Sequence, residues 1–142
     1  MHGYLNNAEA NTAAFAHGWL HTGDIGHLDE DGVLWFTDRA KDIVKSGGEN
    51  VSSVEVEAGL LAHPDVLECA VIGLPDDRWG EAVTALVVAD RPDAETLIAH
   101  CKATLAPFKV PKRILFVTEL PRTSTGKVQK ATLRRSLEDA AD

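Results

Sequence analysis

Cysteine is nearly absent from this chain of 142 residues: Cys69 and Cys101 stand far apart, with no Cys-x-x-Cys spacing. A disulfide framework and a thiolate metal site are therefore poor readings, and each thiol, set among apolar neighbours, is expected to be a small core residue. Histidines are scattered; His17 and His21 stand four apart, but Gly18 disfavours the regular helix that such a metal pair uses. Long apolar runs are missing too. The longest, Ala82 to Ala89, includes Thr84 and falls far short of the ~20 residues needed to span a bilayer. No basic-then-apolar leader opens these residues, so the expectation is a soluble, cytoplasmic protein with no transmembrane segment. What is present is ordinary: a hydrophobic content of 44% argues against wholesale disorder, and the length suits one domain, or one small domain with an appendage.

The net charge is −8, yet the basic residues are crowded. From Lys102 to Arg135 nine lysines and arginines face one acid, Glu119. A solvated basic face is the plain reading, and a surface for a phosphorylated ligand the sharper one. Nucleic acid is not expected as a partner, because the rest of the chain repels a polyanion and no aromatic ladder interleaves the basic residues.

Hydrophobic patterning gives an α+β order. Asn7 can cap a short helix reaching Phe15. Asp29-Glu30-Asp31-Gly32 separates two strand-like flanks, Ile25 to Leu28 and Val33 to Thr37, and predicts a β-hairpin. Asp42 to Lys45 extends as a further strand before the Ser46-Gly47-Gly48 turn. Ser52-Ser53-Val54-Glu55 is a capping-box pattern that starts a helix, stopped by His63-Pro64. Val66 to Leu74 and Ala82 to Ala89 read as strands joined by the loop from Pro75 to Gly80. Asp93 caps a helix with Leu97, Cys101 and Leu105 on one face. Lys112 to Thr118 is a last strand, and Thr132 to Glu138 a last helix with Leu133 and Leu137 inward.

Four short polar motifs carry chemistry. Thr22-Gly23-Asp24 sets a carboxylate beside a glycine, suited to vicinal ribose hydroxyls, or is a plain turn leading into a strand. Arg39 between Asp38 and Asp42 reads most simply as a surface ion-pair cluster. Ser46-Gly47-Gly48 lets the backbone pass close to a ligand or adopt positive φ, or simply links a strand to the capped helix. Thr123-Ser124-Thr125-Gly126-Lys127 can turn N–H groups and an ammonium toward an anion. It is no Walker loop, which needs a glycine where Pro121 stands.

Taken in order, these motifs resemble the carboxyl-terminal end of the adenylate-forming (AMP-binding) enzyme superfamily, which joins a carboxylate to AMP and passes the acyl group to a thiol. Gly18-Trp19-Leu20-His21-Thr22-Gly23-Asp24 resembles its ribose-binding segment, and Gly3-Tyr4-Leu5-Asn6 the run leading to it. Asp38 to Asn50 resembles the hinge segment, and Leu120 to Lys127 the closing catalytic-lysine segment. Ser46 to Glu57 looks most like the acyl-CoA synthetases, the fatty-acid and aryl-acid CoA ligases.

The resemblance implies a small mixed-sheet domain, residues 41–142, that swivels between two poses, preceded in residues 1–40 by a hairpin from the end of a large amino-terminal domain. It implies that Lys127 is catalytic, that Lys41 is the hinge, and that Asp24 and Arg39 meet the ATP or AMP ribose. Gly47 and Gly48 would line the path of the coenzyme A arm, and Trp79, Phe108, Lys109 and Lys112 would hold its nucleotide end. The carboxylic-acid pocket, the phosphate loop and the Mg²⁺ ligand of the family are not found here, so a lone chain is expected to be inactive and prone to artificial self-association. A carrier-protein thiol as acceptor, or a stand-alone coenzyme A- or nucleotide-binding or regulatory module, are the alternatives.

Overall fold

The computed structural model describes residues 1–91 and 93–140. The chain divides into two compact units, Met1–Lys41 and Asp42–Asp142; the last two residues of the second lie outside the described residues. The division falls within a single 3-10 turn, Ala40–Asp42.

The first unit opens with helix α1, Ala8–Ala14, whose N-cap Asn7 accepts from the Ala10 N–H at 3.0 Å. Strands β1, Asp24–Leu28, and β2, Leu34–Arg39, pair antiparallel, with Asp24 opposite Arg39. Their turn is locked by Asp29, whose carboxylate accepts from the Asp31 and Val33 N–H groups and from the Trp35 indole. That indole bond, with the backbone donors, holds Asp29 below the usual carboxylate range.

The second unit builds one mixed sheet from β3, Val44–Ser46; β4, Glu49–Val51; β5, Val66–Asp76; β6, Gly80–Ala89; and β7, Arg113–Phe116. β5 and β6 form a long antiparallel hairpin. β7 lies parallel to β6, a pairing that requires a crossover, supplied by helix α3, Ala94–Thr104. Helix α2, Ser53–Leu61, precedes β5, and α4, Lys130–Glu138, follows β7.

Side-chain alternation on the hairpin separates two cores. Val71, Val83, Ala85 and Val87 meet Val56, Leu60, Leu97 and Cys101 from α2 and α3, while Ala70, Ile72, Leu74 and Leu86 meet Leu133 of α4. Both faces of the hairpin are thus covered by helices, which is why its sequence reads as nearly continuous apolar runs. Capping follows the sequence: Ser52 Oγ accepts from Glu55 N–H, and Asp93 from Glu95 and Thr96 N–H. Burial pushes the half-buried Cys69 thiol up to about 12, in keeping with a packing role.

Several boundaries differ from the sequence reading. Asp42 belongs to the 3-10 turn and the strand begins at Val44. β5 and β6 run on to Asp76 and back from Gly80, leaving a tight turn at residues 77–79. β7 is shorter than expected, and α4 starts at Lys130. Gly47-Gly48 does not lead straight to the helix but reverses the chain into β4.

Among the described residues the outer edge of β5 is closed by side chains rather than by another strand. Glu57 of α2 accepts from the Val71 N–H at 2.8 Å and pairs with Lys130 of α4 at 2.7 Å. Lys130 also donates to Ser53 Oγ, and Arg134 donates to the Gly73 carbonyl. Such contacts blunt an edge that would otherwise recruit another chain. Glu57 and Lys130 are only 18% and 16% exposed. Glu57→Ala therefore strands both an N–H and a cation, and urea unfolding is expected to show a loss of about 2–3 kcal/mol. Glu55→Ala, which breaks the more open pair with Lys109, should cost under ~1 kcal/mol.

Candidate functional site

In the first unit Asp24 and Arg39 face each other across the β1–β2 ladder, with Arg39 Nε 2.9 Å from Asp24 Oδ1. Arg39 Nη2 also donates to the Thr22 carbonyl at 3.2 Å, and Thr22 Oγ1 accepts from the Asp24 N–H at 3.1 Å. The carboxylate is fixed at a stated place while both side chains stay half exposed, an arrangement able to present oxygens to a diol. The expected Arg39 cluster with Asp38 and Asp42 does not form in the way the sequence suggested. Asp38 is buried at 1% exposure and accepts from the Arg39 N–H, and the guanidinium turns to Asp24. Alternation along β2 explains it, since neighbours on a strand point to opposite faces. Lys41 is exposed and lies in the 3-10 turn where the units divide.

Lys127 ends a small hairpin ahead of α4. Gly126 N–H donates to the Thr123 carbonyl at 2.9 Å, Thr123 N–H to the Lys127 carbonyl at 2.8 Å, and Lys127 N–H to Thr123 Oγ1 at 3.1 Å. Arg122, unremarked in the sequence, clamps the base: it donates to the Gly126 carbonyl at 2.7 Å and pairs with Glu68 of β5 at 2.6 Å. The Lys127 side chain is exposed, and among the described residues its ammonium has no ion-pair partner. An exposed ammonium on such a braced base can meet an anionic group.

The third group gathers around the tight turn of the β5–β6 hairpin. Asp76 Oδ1 accepts from the Arg78 and Trp79 N–H groups at 3.0 and 3.2 Å, and Oδ2 takes Arg113 at 2.9 Å. The Arg78 N–H leads the donors that hold Asp76 below the usual carboxylate range. Trp79 thereby reaches the Gly47-Gly48 turn: its carbonyl accepts from the Gly47 N–H at 2.8 Å. Gly47 and Gly48 have φ of +61° and +85°, the left-handed pair that a two-residue hairpin needs. A Cβ at Gly47 would stand 3.0 Å from Trp79 Cε3. Lys112 Nζ lies 5.0 Å from the indole centre, and Arg78, also missed in the sequence, lies 4.7 Å from it. Partial burial pulls the Lys112 ammonium below the ordinary lysine range.

Of the residues expected around a coenzyme, the fold gathers Gly47, Gly48, Trp79 and Lys112. Phe108 is partly exposed and carries Lys109 Nζ 5.6 Å from its ring centre, but that ammonium is held by Glu55 at 2.6 Å. The long basic segment is not one continuous unpaired face. Lys109, Arg113, Arg122 and Lys130 are matched by Glu55, Asp76, Glu68 and Glu57.

The family profile described as AMP-binding enzyme C-terminal domain matches residues 55–127, just over half of the chain. The chain belongs to this family. It is 48% identical over 137 residues to the peroxisomal trans-cinnamate:CoA ligase of Petunia hybrida, covering 94% of this chain and 24% of that protein. It is 46% identical over 133 residues to the long-chain-fatty-acid–CoA ligase FadD13 of Mycobacterium tuberculosis, covering 92% and 26%. The crystal structure of ATP-bound MatB from Rhodopseudomonas palustris superposes with a TM-score of 0.87 at 40% identity, over 99% of this chain and 29% of that one. The chain thus spans about a quarter of the length of the curated relatives it matches. The mixed sheet with its helices is the small-domain fold of adenylate-forming enzymes.

Two opposed effects are expected at the glycine turn. Gly47→Ala strains a positive φ and crowds Trp79, so it should cost about 1–2 kcal/mol in urea unfolding and shift the Trp79 indole resonance. Ser46 Oγ is buried without a hydrogen-bond partner among the described residues. Ser46→Ala should therefore be neutral or stabilising by up to ~1 kcal/mol.

Proposed function

We propose that this chain works as the carboxyl-terminal part of an acid–thiol ligase, which activates a carboxylic acid with ATP to acyl-AMP and then transfers the acyl group to coenzyme A. The observation that carries the reading is the Lys127 ammonium, exposed on its braced hairpin and without an ion-pair partner among the described residues, in a chain of this family. In the first half-reaction a carboxylate oxygen attacks the α-phosphorus and pyrophosphate leaves. Lys127 supplies a fixed positive charge between two anions that repel each other, and that charge counts most as negative charge builds on the shared oxygens. Asp24, oriented by Arg39, receives the ribose hydroxyls.

For the second half-reaction the small domain turns about Lys41 and brings the Gly47-Gly48 turn to the large domain. The thiol then attacks the acyl carbon and AMP leaves. Absent side chains at the turn leave room for the pantetheine arm, and in this reading Trp79 beside it, with Lys112, takes the adenine and 3′-phosphate. That aromatic–cation pairing favours free coenzyme A over a carrier protein, which has no adenine to stack. Mg²⁺ belongs to the family's chemistry, and among the described residues no three His, Cys, Asp or Glu side chains converge to hold it. The hairpin supports membership of a larger domain: Leu28, Leu34, Trp35 and Phe36 are all more than half exposed, more apolar surface than two strands sustain alone.

The 142-residue chain by itself is expected to give no carboxylate-dependent ATP–pyrophosphate exchange; exchange with no other protein present would refute the reading. In the ligase of which it is part, Lys127→Ala should lower adenylation by about 10²–10³-fold and leave thioester formation from supplied acyl-AMP nearly intact. Equal loss in both halves would contradict the two-pose scheme. Lys41→Pro, which fixes φ, should slow the thioester step selectively.

A further inference from the structure

Trp79 does not offer a bare ring. The Arg78 guanidinium carbon lies 4.7 Å from the indole centre and the Lys112 ammonium 5.0 Å, both within the ~6 Å over which an aromatic face holds a cation. A Cβ built on Gly47 would come within 3.0–3.3 Å of the six-membered ring. Neighbouring cations are otherwise engaged, Arg113 on Asp76 and Lys109 on Glu55. Among the described residues neither Arg78 nor Lys112 has a carboxylate partner. Lys112 makes do with the carbonyls of Val110 and Pro107, at 3.0 and 3.4 Å. Both cations are thus held by neutral groups, which are weaker partners than an anion.

We infer that Arg78 and Lys112 form a displaceable cationic cover on Trp79, which yields the indole to an adenine and moves to the phosphate when a 3′-phosphorylated adenine nucleotide arrives. This deepens the coenzyme reading and rests on Trp79 being its platform. A base and a cation cannot share one area of ring, so stacking must first displace a cation. A ligand carrying a phosphate close to its base repays that displacement with charge-assisted hydrogen bonds. One without it does not. Arg78 is therefore a specificity-determining residue, selecting for the phosphate that distinguishes coenzyme A from its 3′-dephospho form. The exchange needs only side-chain rotation, because Asp76 holds the backbone N–H groups of both Arg78 and Trp79.

The test titrates the ¹⁵N-labelled 142-residue chain with coenzyme A, 3′-dephospho-coenzyme A and adenosine. It follows the Trp79 indole signal, identified by its loss in Trp79→Phe. Arg78→Ala should weaken coenzyme A by about three- to tenfold, narrow its advantage over the dephospho form, and tighten adenosine, whose access to the ring no longer requires displacement. Arg78→Lys should restore the original order. A Trp79 signal unmoved by coenzyme A removes both the platform and the cover. A signal that moves normally, with Arg78→Ala changing coenzyme A and adenosine in the same direction or not at all, removes the cover alone.

Discussion

Because β5 and β6 are paired without interruption from Glu68↔Val88 to Asp76↔Gly80, a slip of one residue would move one strand's whole set of side chains to the opposite face. Val71 would then point toward α4, and Ile72 toward α2 and α3, exchanging partners between two cores that differ in shape. With both faces buried, that exchange is forbidden, and the register is fixed far more firmly than in a sheet with one wet face. The place where the hairpin ends is fixed with it. Asp76 must fall opposite Gly80, so its carboxylate meets the N–H groups of the turn, and Trp79 is delivered to the Gly47 backbone. The geometry around Trp79 is thus a consequence of core packing several residues away.

Charge is arranged by the same scaffold. Acids from α2 and β5 lie far in sequence from the basic segment that follows α3, yet the fold brings Glu55, Glu57, Glu68 and Asp76 onto Lys109, Lys130, Arg122 and Arg113. These pairs do two kinds of work. Lys130 with Glu57 ties α4 to α2 and closes a strand edge, and Arg122 with Glu68 braces the Lys127 hairpin. Among the cations left without carboxylate partners in the described residues are Lys127, Lys112 and Arg78, for which the proposed chemistry has a use.

Much of the fold was legible because its signals are local. Ser52 and Asp93 cap helices, and Asp29 closes its turn, through side chains that reach two to four residues along the chain. β4 was not legible: Glu49 and Asn50 are exposed and only Val51 is buried, so three residues show no alternation, and the strand exists because Gly47-Gly48 reverses the chain onto β3. The ends of β5 and β6 were missed for a related reason. Pro75, Asp76 and Glu81 look like loop residues, and only the partner strand makes them extended. Within the site, the pairing of Asp24 with Arg39 needed the β1–β2 register, and the meeting of Trp79 with Gly47 joins residues that no spacing rule connects.

The three groups share one mechanical principle, in which a braced support leaves the working side chains exposed or lightly held. Arg122 commits both arms of its guanidinium to the loop and to β5, and among the described residues the Lys127 ammonium has no carboxylate partner. Asp76 engages both carboxylate oxygens to hold the turn, while Arg78 and Lys112 rest on an aromatic face that gives them up at low cost. Arg39 fixes Asp24 through one oxygen. A lysine paired to a glutamate in the free chain would have to break that pair before meeting a phosphate, and the desolvated carboxylate left behind would oppose the exchange. A cation parked on carbonyls or an indole leaves no such charge behind. For a domain proposed to meet different anions in successive poses, weak internal partners at the working cations, set on strongly paired supports, let each anion be gripped and then released.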